Sequence, residues 1–596
     1  MERRDIAKEY KWDLSAIFPS DEAVEDEISE CLVAVSGFAK HESTMCESAK
    51  GLLAAISELS ALEQRVIKLS VYASLGFNLD TSDNAAQSVK SRVRDIAVRL
   101  GEVSWFFAPY LLRIGDDKLS EYISACPELL SYERQLKKIM RGKPHTLSDE
   151  CEKLYSEMED CLHLHSGVRS IFANSDLRHG KTLTEDGSMV ELTDATYIPL
   201  MMSTDRRVRR SAFRTMYKTY AQFKNTFSAL YYNYVKESAT LAKVRGFADS
   251  RSASTYRDEV TPEIYDNLIR SVCDNLGALF EYYELKREVL GLSRMHIYDI
   301  YAPLVGEIDM SCTYEEARDE VARLGDVFGD EYSRVLRDGL YERGWVDVYP
   351  TRGKRSGAFS SGCASTEPYI LLNFNGTFDD ISTLAHEAGH SMHSYFSRTY
   401  NEPHNSDYTL FVAEVASTVN ELLFMRRRIR ESKSREEKLY LLNQLMELYK
   451  STLFRQTMLA EFERDAHRAC EAGKPLTADL LCEMYYSLVK KYFGKSVVCD
   501  PEIAMEWMRI PHFYMNFYVY KYATCISAAS AIVERIEKEG VTYAKHYIEF
   551  LKCGDSRSPY ESLLVAGVDM TSRDLTRPAI DAFVGAVEEF KRMLGE

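Results

Sequence analysis

Apolar positions recur at steps of three and four over long stretches of this chain. Glu436–Cys470 (EEKLYLLNQLMELYKSTLFRQTMLAEFERDAHRAC) carries the pattern without interruption, and Val208–Val244 repeats it. This spacing predicts long helices, each with one buried face. Period-two runs are few. Thr182–Leu192 has two short alternating runs around Asp186-Gly187, which predicts a β-hairpin. Pro368–Phe374 (PYILLNF) is the best isolated strand. Arg141–Pro144 reads as a loop ahead of Ser148, a helix N-cap. Gly246–Pro262 is polar and irregular, and its closing Thr261-Pro262 starts a new helix. Helix breakers are scarce: 15 Pro and 29 Gly in 596 residues, against average usage of about 5% and 7%. The expected fold is mainly α with a small β component.

Composition narrows the partners. The length corresponds to three or four domain-sized units at about 150 residues each. Lys plus Arg number 74 and Asp plus Glu 91, a formal net charge of −17. Such a surface repels phosphate backbones and anionic lipids, so neither nucleic acid nor membrane is an expected partner. The 13 cysteines form no Cys-x-x-Cys pair, which suits reduced thiols in a cytoplasmic protein. MERRDIAKEYKWDLSAIF at the N-terminus has no apolar signal core. Ala523–Val533, an apolar stretch, is too short to span a bilayer.

The chemistry concentrates in Thr383–Phe396 (TLAHEAGHSMHSYF), which contains His386-Glu387-x-x-His390. On a helix, residues four apart share a face at about 5–6 Å, close enough for two imidazoles to hold one zinc ion. Glu387 projects to the side of that ion, as a base for the metal-bound water must. The competing reading is a helix whose histidines hydrogen-bond within a core. Chance predicts about 0.02 such motifs in a chain of this composition, so a third ligand decides. Glu414 lies 24 residues after His390, in the apolar run FVAEVASTVNE. A carboxylate there is costly to bury unless paired or metal-bound. Two His and one Glu leave the fourth tetrahedral position for water. Glu421, two turns on, is a partner for a ligating His, as are Ser417 and Thr418. His393 falls near the same face, to steady the site or contact substrate.

A second constellation is Arg509–Ala523 (RIPHFYMNFYVYKYA). Aromatics this dense usually form core. Amide hydrolysis, however, needs donors aimed at the developing oxyanion, and His512 and Tyr518 are of the right type. Tyr514, Tyr520 and Tyr522 follow them. The segment Arg352–Cys363 (RGKRSGAFSSGC) lacks the order of a phosphate-binding loop, since a strand follows and the lysine is misplaced. It reads as a flexible Gly/Ser loop, or a mobile one beside a substrate cleft.

The combined run GAFSSGC…PYILLNF…TLAHEAGHSMHSYFS…FVAEVASTVNE…IPHFYMNFYVYKYAT resembles the oligoendopeptidase F family, a branch of the thimet-oligopeptidase-like zinc metallopeptidases. The strong segments span residues 357–524, and weaker likeness extends over nearly the whole chain. The resemblance implies a two-lobed helical fold with a deep substrate channel and a small sheet beside the zinc site. It implies one zinc on His386, His390 and Glu414, with Glu387 as base and unfolded oligopeptides as substrates. It further implies that the strand containing Tyr369 and Leu371 pairs with the substrate backbone, and that the downstream His and Tyr stabilise the tetrahedral intermediate. One departure is visible: Phe517 stands where a direct count puts the first tyrosine, with Tyr518 one later. The choice among Tyr514, Tyr518, Tyr520 and Tyr522 is therefore open.

The expected function is hydrolysis of internal bonds in short oligopeptides. A zinc carboxypeptidase of similar fold is the first alternative; it needs cations for a free carboxylate, and Arg352, Lys354, Arg355 and Arg509 are candidates. A helical scaffold with structural histidines is the second. The expected division is an N-terminal helical lobe over residues 1–200 and a catalytic lobe over 201–596.

Overall fold

Capping residues written in the sequence start many of the helices. Ser20, Ser48 and Asp83 each accept a backbone N–H from the first turn of the helix that follows, which satisfies donors that a helix start otherwise leaves open. The computed structural model describes residues 2–162, 164–306 and 308–595. Among the described residues helices dominate, with three small sheets of two, two and three strands.

The expected elements are present. The Val208–Val244 pattern lies on a 39-residue helix, Arg206–Val244, that buries Phe213, Tyr217, Phe227, Tyr231 and Val235 along one side. Strands Lys181–Leu183 and Met189–Glu191 pair antiparallel around Gly187, whose φ of +83° only glycine adopts readily. Thr261 precedes a helix with Pro262 in its first turn. Two stretches differ from the expectation. Gly246–Pro262 contains the helix Ser250–Arg257, capped by Asp249; its buried residues are Ser250, Ser254 and Thr255, so no apolar period marks it. Glu436–Cys470 is interrupted by a π-helical segment, Lys450–Arg455. Its extra residue per turn accompanies burial of Lys450 beside Glu447. A one-residue slip leaves a three-to-four periodicity unchanged, so the pattern does not register it.

The chain folds into two compact units that interleave in sequence, unlike a single cut at residue 200. The first comprises the residues up to Pro144, Met310–Phe424 and Ile532–Gly567; the second comprises His145–Asp309, Met425–Ala531 and the residues from Val568 onward. In the first unit, Trp12, Phe38, Leu69, Phe106 and Leu111 belong to one apolar core that also takes in Tyr369 and Leu371. Each such burial is worth roughly 1.5–3 kcal/mol.

The three-stranded sheet lies in this unit. Its central strand, Tyr369–Leu371, runs parallel to Val346–Asp347 on one side and antiparallel to Phe359–Ser361 on the other. The outer side of Val346–Asp347 is covered by the N-terminal segment: Val348 N–H donates to the Tyr10 carbonyl (3.0 Å) and Trp12 N–H to the Asp347 carboxylate (3.1 Å). The outward edge therefore belongs to Phe359–Ser361. Asp347 is also paired with Arg3 and Lys354, both at 2.7 Å. In the second unit the buried Asp299 is paired in the same way with Arg206 and Arg209, at 2.7 and 2.8 Å. Buried charges of this kind persist only with partners.

Candidate metal centre

Thr377 and Asp380 form a capping box that starts the helix Phe378–Tyr400: the Asp380 N–H donates to Thr377 Oγ1 (3.2 Å) and the Thr377 N–H to the Asp380 carboxylate (3.0 Å). Ile381, Leu384, Ala385, Ala388, Met392 and Phe396 form its buried face. Gly389 lets it cross the helix Leu410–Glu431 at backbone contact: a Cβ there would lie 2.6 Å from the Ala416 carbonyl oxygen and from Ser417 Cα. The crossing brings His386, His390 and Glu414 together.

His386 Nε2 is 3.2 Å and His390 Nε2 3.4 Å from Glu414 Oε2. Three donor atoms, one from each residue, lie within 4.8 Å of one another, the only His, Cys, Asp and Glu group of this kind among the described residues. Ligands about 2.05 Å from a common tetrahedral centre are about 3.3 Å apart, so both separations fit a zinc ion. The donor set, two imidazoles and a carboxylate, is also a catalytic zinc set. Burial works against charge on His386, but Glu414 and Glu421 outweigh it and lift the imidazole to about 10. Burial likewise opposes charge on Glu414, and the two histidines hold its carboxyl well below the usual range. This is the potential of a cation site.

Around the triad the expected partners separate. Glu421 Oε2 lies 3.4 Å from His386 Nδ1, the orienting contact a ligating imidazole needs. Ser417 Oγ donates to Glu414 Oε2 (3.1 Å). His393 is not among the three donors; it is buried, stacked on Tyr408 at 3.7 Å, and burial lowers it to about 3. It packs the helix rather than binding at the cation site.

Glu387 is 7% exposed, and its Oε2 is buried without a hydrogen-bond partner. Burial pushes its pKa upward, while the neighbouring His386 and His390 and the nearby Ser360 backbone N–H work in the other direction. Ser360 Oγ also meets Ser391 Oγ at 2.9 Å. The edge strand is thus fastened directly to the helix of the motif. A cleft of about 420 Å³ opens here, lined by His386, Glu387, Ala358, Asp379 and Thr383 among others. An adjoining space of about 180 Å³ reaches Gly357, Asn373 and Phe374.

Two expectations for this region are corrected. Tyr369 and Leu371 are buried, at 4% and 0% exposure, on the central strand, with strands on both sides. They have no edge to offer a substrate backbone; Phe359–Ser361 has. The Gly/Ser loop is beside the cleft, as expected, but it is tied down. Thr81 N–H donates to the Gly353 carbonyl (2.7 Å), Arg355 N–H to that of Asn78 (2.9 Å), and Lys354 bonds the Asp347 and Tyr349 carbonyls (3.1 and 2.8 Å). Alternation in strands left open which strand was central, so the sequence signal for Ser360 was its Gly/Ser-rich setting beside a strand.

His512, Tyr518 and Tyr522 belong to the second unit and form one ring cluster. Centroids are 6.1 Å apart for His512–Tyr518, 5.9 Å for His512–Tyr522 and 5.4 Å for Tyr518–Tyr522. Burial, with Arg169 adding to it, lowers the His512 pKa, which keeps the ring neutral with one N–H to donate. Arg169 donates to the Met508 and Arg509 carbonyls (3.1 and 3.0 Å), just ahead of His512. Tyr520 is a further correction: it is 0% exposed, packs on Tyr265 and bonds Asp258, so it is core. Tyr514 is half-buried against Tyr231 and Tyr234. Two cations considered for a carboxylate pocket are also committed elsewhere. Lys354 is fully buried on Asp347, and Arg509 lies over the Tyr197 ring at 4.2 Å.

A triad of this geometry beside a buried glutamate with an unpaired oxygen is a candidate metal centre on a helical scaffold. Family comparisons agree. A family model described as Peptidase family M3 matches residues 199–581, and one described as Oligopeptidase F matches residues 111–179. The chain belongs to peptidase family M3; by class it is a metallo-endopeptidase, a hydrolase acting on peptides. It is similar to Oligopeptidase PepF of Bacillus subtilis, with 38% identity over 100% of this chain and 88% of that protein. An oligoendopeptidase F homologue of Lactococcus lactis is 34% identical over 99% and 98% of the two chains. The solved structure of oligoendopeptidase-F from Enterococcus faecium has a TM-score of 0.76 at 31% identity, covering 96% of this chain and 99% of that one. A Chlamydophila abortus structure reaches 0.92 at 32% identity over 99% of both chains. No helix among the described residues is long and apolar enough to cross a membrane.

Proposed function

We propose that the protein is a zinc-dependent oligoendopeptidase that cuts internal bonds of short, unfolded oligopeptides. The observation that carries this reading is the His386–His390–Glu414 set at zinc-ligand separations, next to a Glu387 oxygen that is buried and unpaired. His386, His390 and Glu414 would hold the ion. Zinc supplies Lewis acidity, which activates water as a nucleophile and polarises a peptide carbonyl.

The remaining steps belong to side chains. Glu387 Oε2 accepts the proton of the attacking water and returns it to the leaving amine. Its upward-shifted pKa suits a group that must do both. The outer edge of Phe359–Ser361 aligns the substrate backbone by strand addition. His512 N–H and the Tyr518 hydroxyl stabilise the oxyanion, with Tyr522 packed on both. The names of the relatives, oligopeptidase and oligoendopeptidase, support peptides of limited length. The net charge of −17 argues against nucleic acid. The 13 cysteines form no disulfide, which supports a reducing, cytoplasmic setting.

The test is cleavage of a doubly blocked, internally quenched peptide of about ten residues, with mass spectrometry of the products. Internal cleavage that a chelator abolishes and zinc restores is the expected result. Trimming only of peptides with a free C-terminus would replace this reading with a carboxypeptidase. Failure to bind zinc stoichiometrically, with no cleavage, would return the histidines to a structural role.

A further inference from the structure

Asn516 and Phe517 are consecutive non-glycine residues with left-handed backbone, φ +47° and +60°; Glu259 is the one other described non-glycine residue with positive φ. A bulky side chain in this region is an outlier, and such a conformation persists only where its surroundings over-determine it. Here they do. Phe517 N–H donates to Glu463 Oε1 at 2.7 Å. Ser254 Oγ donates to the Asn516 carbonyl at 2.8 Å, and Ser238 Oγ to Asn516 Oδ1 at 2.8 Å. The Phe517 ring packs on Tyr265 and His467, with centroids 5.7 and 4.5 Å away. Three helices, Arg206–Val244, Ser250–Arg257 and Gln456–Glu471, thus each send one polar side chain to a two-residue turn.

The turn sends neighbouring residues to different surroundings. Phe517 enters the core at 1% exposure, while Tyr518 joins the His512 cluster. This explains the aromatic register: the residue at the directly counted position is the anchor, and the next one carries the hydroxyl. Glu463 itself is 0% exposed, and its Oε2 has no partner. A carboxyl group kept there at the cost of desolvation makes one hydrogen bond, to the turn. Its surroundings favour the neutral acid, so a glutamine can reproduce that bond.

We propose that Glu463 is a positioning residue for the reaction: by holding the left-handed Asn516–Phe517 turn, it sets the Tyr518 hydroxyl beside His512. This rests on the reading of Tyr518 as an oxyanion donor. Glu463 touches neither substrate nor the ligands of the cation site, and it acts through the backbone N–H of Phe517.

The test compares zinc-loaded wild type, Glu463→Gln, Glu463→Ala, Tyr518→Phe and the Glu463→Ala/Tyr518→Phe double variant on the quenched peptide. Hydrogen exchange of the 513–519 peptide is read in parallel. If Glu463→Ala does not fold, Glu463→Met, similar in length but with only a weakly accepting thioether in place of the carboxyl oxygens, takes its place. Glu463→Gln should stay within about threefold of wild-type kcat, because its carbonyl accepts the same N–H. Glu463→Ala should lose at least about tenfold in kcat with KM within about twofold, as a misplaced transition-state donor predicts. Exchange at 513–519 should accelerate in Glu463→Ala and not in Glu463→Gln. In the Tyr518→Phe background, Glu463→Ala should cost less than about twofold, because coupled residues are not additive. An equal loss in both backgrounds, or a glutamine variant as impaired as alanine, overturns the proposal. Unimpaired Glu463→Ala beside impaired Tyr518→Phe overturns it while leaving the oxyanion reading intact. Unimpaired Tyr518→Phe overturns the oxyanion reading itself, and with it the reaction role of Glu463.

Discussion

Replacing Gly389 by Ala adds one methyl group at the point where the two ligand-bearing helices cross. That methyl would lie 2.6 Å from the Ala416 carbonyl oxygen and Ser417 Cα, about 0.8 Å inside ordinary 3.4 Å contact. Both obstacles are backbone, so no side chain can swing away. The helices must part by several tenths of an ångström. Gly389 lies between His386 and His390, and Ala416 is two residues from Glu414, so the displacement passes directly to the ligand set. Metal sites tolerate about 0.2 Å in ligand distance. The expected loss of zinc affinity is roughly 10–100-fold, comparable to losing a partner that orients a ligand. Overpacking should also cost about 1–3 kcal/mol of stability, offset in part by about 1 kcal/mol from the better helix propensity of alanine. Zinc titration in chelator-buffered solution measures the first effect, and urea unfolding of the metal-free protein measures the second. Gly585→Ala is the control: nothing lies within 4 Å of its Cβ position, so it should keep zinc affinity and gain stability. Wild-type zinc affinity in a folded Gly389→Ala variant would refute the argument that this contact sets the ligand spacing.

Three further outcomes follow from the same geometry. Glu387→Gln should keep stoichiometric zinc but lose at least about 100-fold in kcat, measured with the blocked peptide, since it removes the proton acceptor and not a ligand. Glu414→Ala should weaken zinc binding more than about 100-fold in the chelator competition, because it leaves only two imidazoles. Burial pushes Glu463 from 4.5 up to about 8, with the Phe517 N–H and Lys521 opposing it, and Tyr231, Tyr234, Tyr265 and Tyr520 facing it. A raised carboxyl pKa means that the folded state binds the extra proton. Stability should therefore fall as pH rises from 4.5 towards 8, with a slope of about 1.4 kcal/mol per pH unit from this group. Glu463→Gln should remove that contribution, so its urea midpoint should exceed that of wild type increasingly between pH 5 and 8; a constant difference across this range would contradict the linkage.

Much of the site was legible because its chemistry is local. His386, Glu387 and His390 lie within two helical turns, and helix geometry alone puts both imidazoles on one face. Glu414 was recognisable as a carboxylate inside an apolar run, and Glu421 followed from it by helical spacing. What misled was the strand. The run PYILLNF has the composition of a strand that meets a ligand, but composition is the same for a central strand, and here Tyr369 and Leu371 are walled in on both sides. The outer edge belongs to the less conspicuous Phe359–Ser361, whose Ser360 hydroxyl meets Ser391 on the helix of the motif. Tyr520 was likewise indistinguishable from its neighbours in sequence; Asp258 and Tyr265 draw it into the core.

The sequence by itself determined the helical class, the residues that gather at the candidate cation site, and the acidic character of the chain. These follow from residue type and from spacing within single elements, which obey fixed periods. Tertiary structure decided the rest: the two interleaved units, the Gly389 crossing that sets ligand separation, the strand that owns the free edge, and the left-handed turn that selects Tyr518 over Phe517. Each depends on which distant segments meet. Glu463 and Phe517 are 54 residues apart, and no period along the chain records a contact between them.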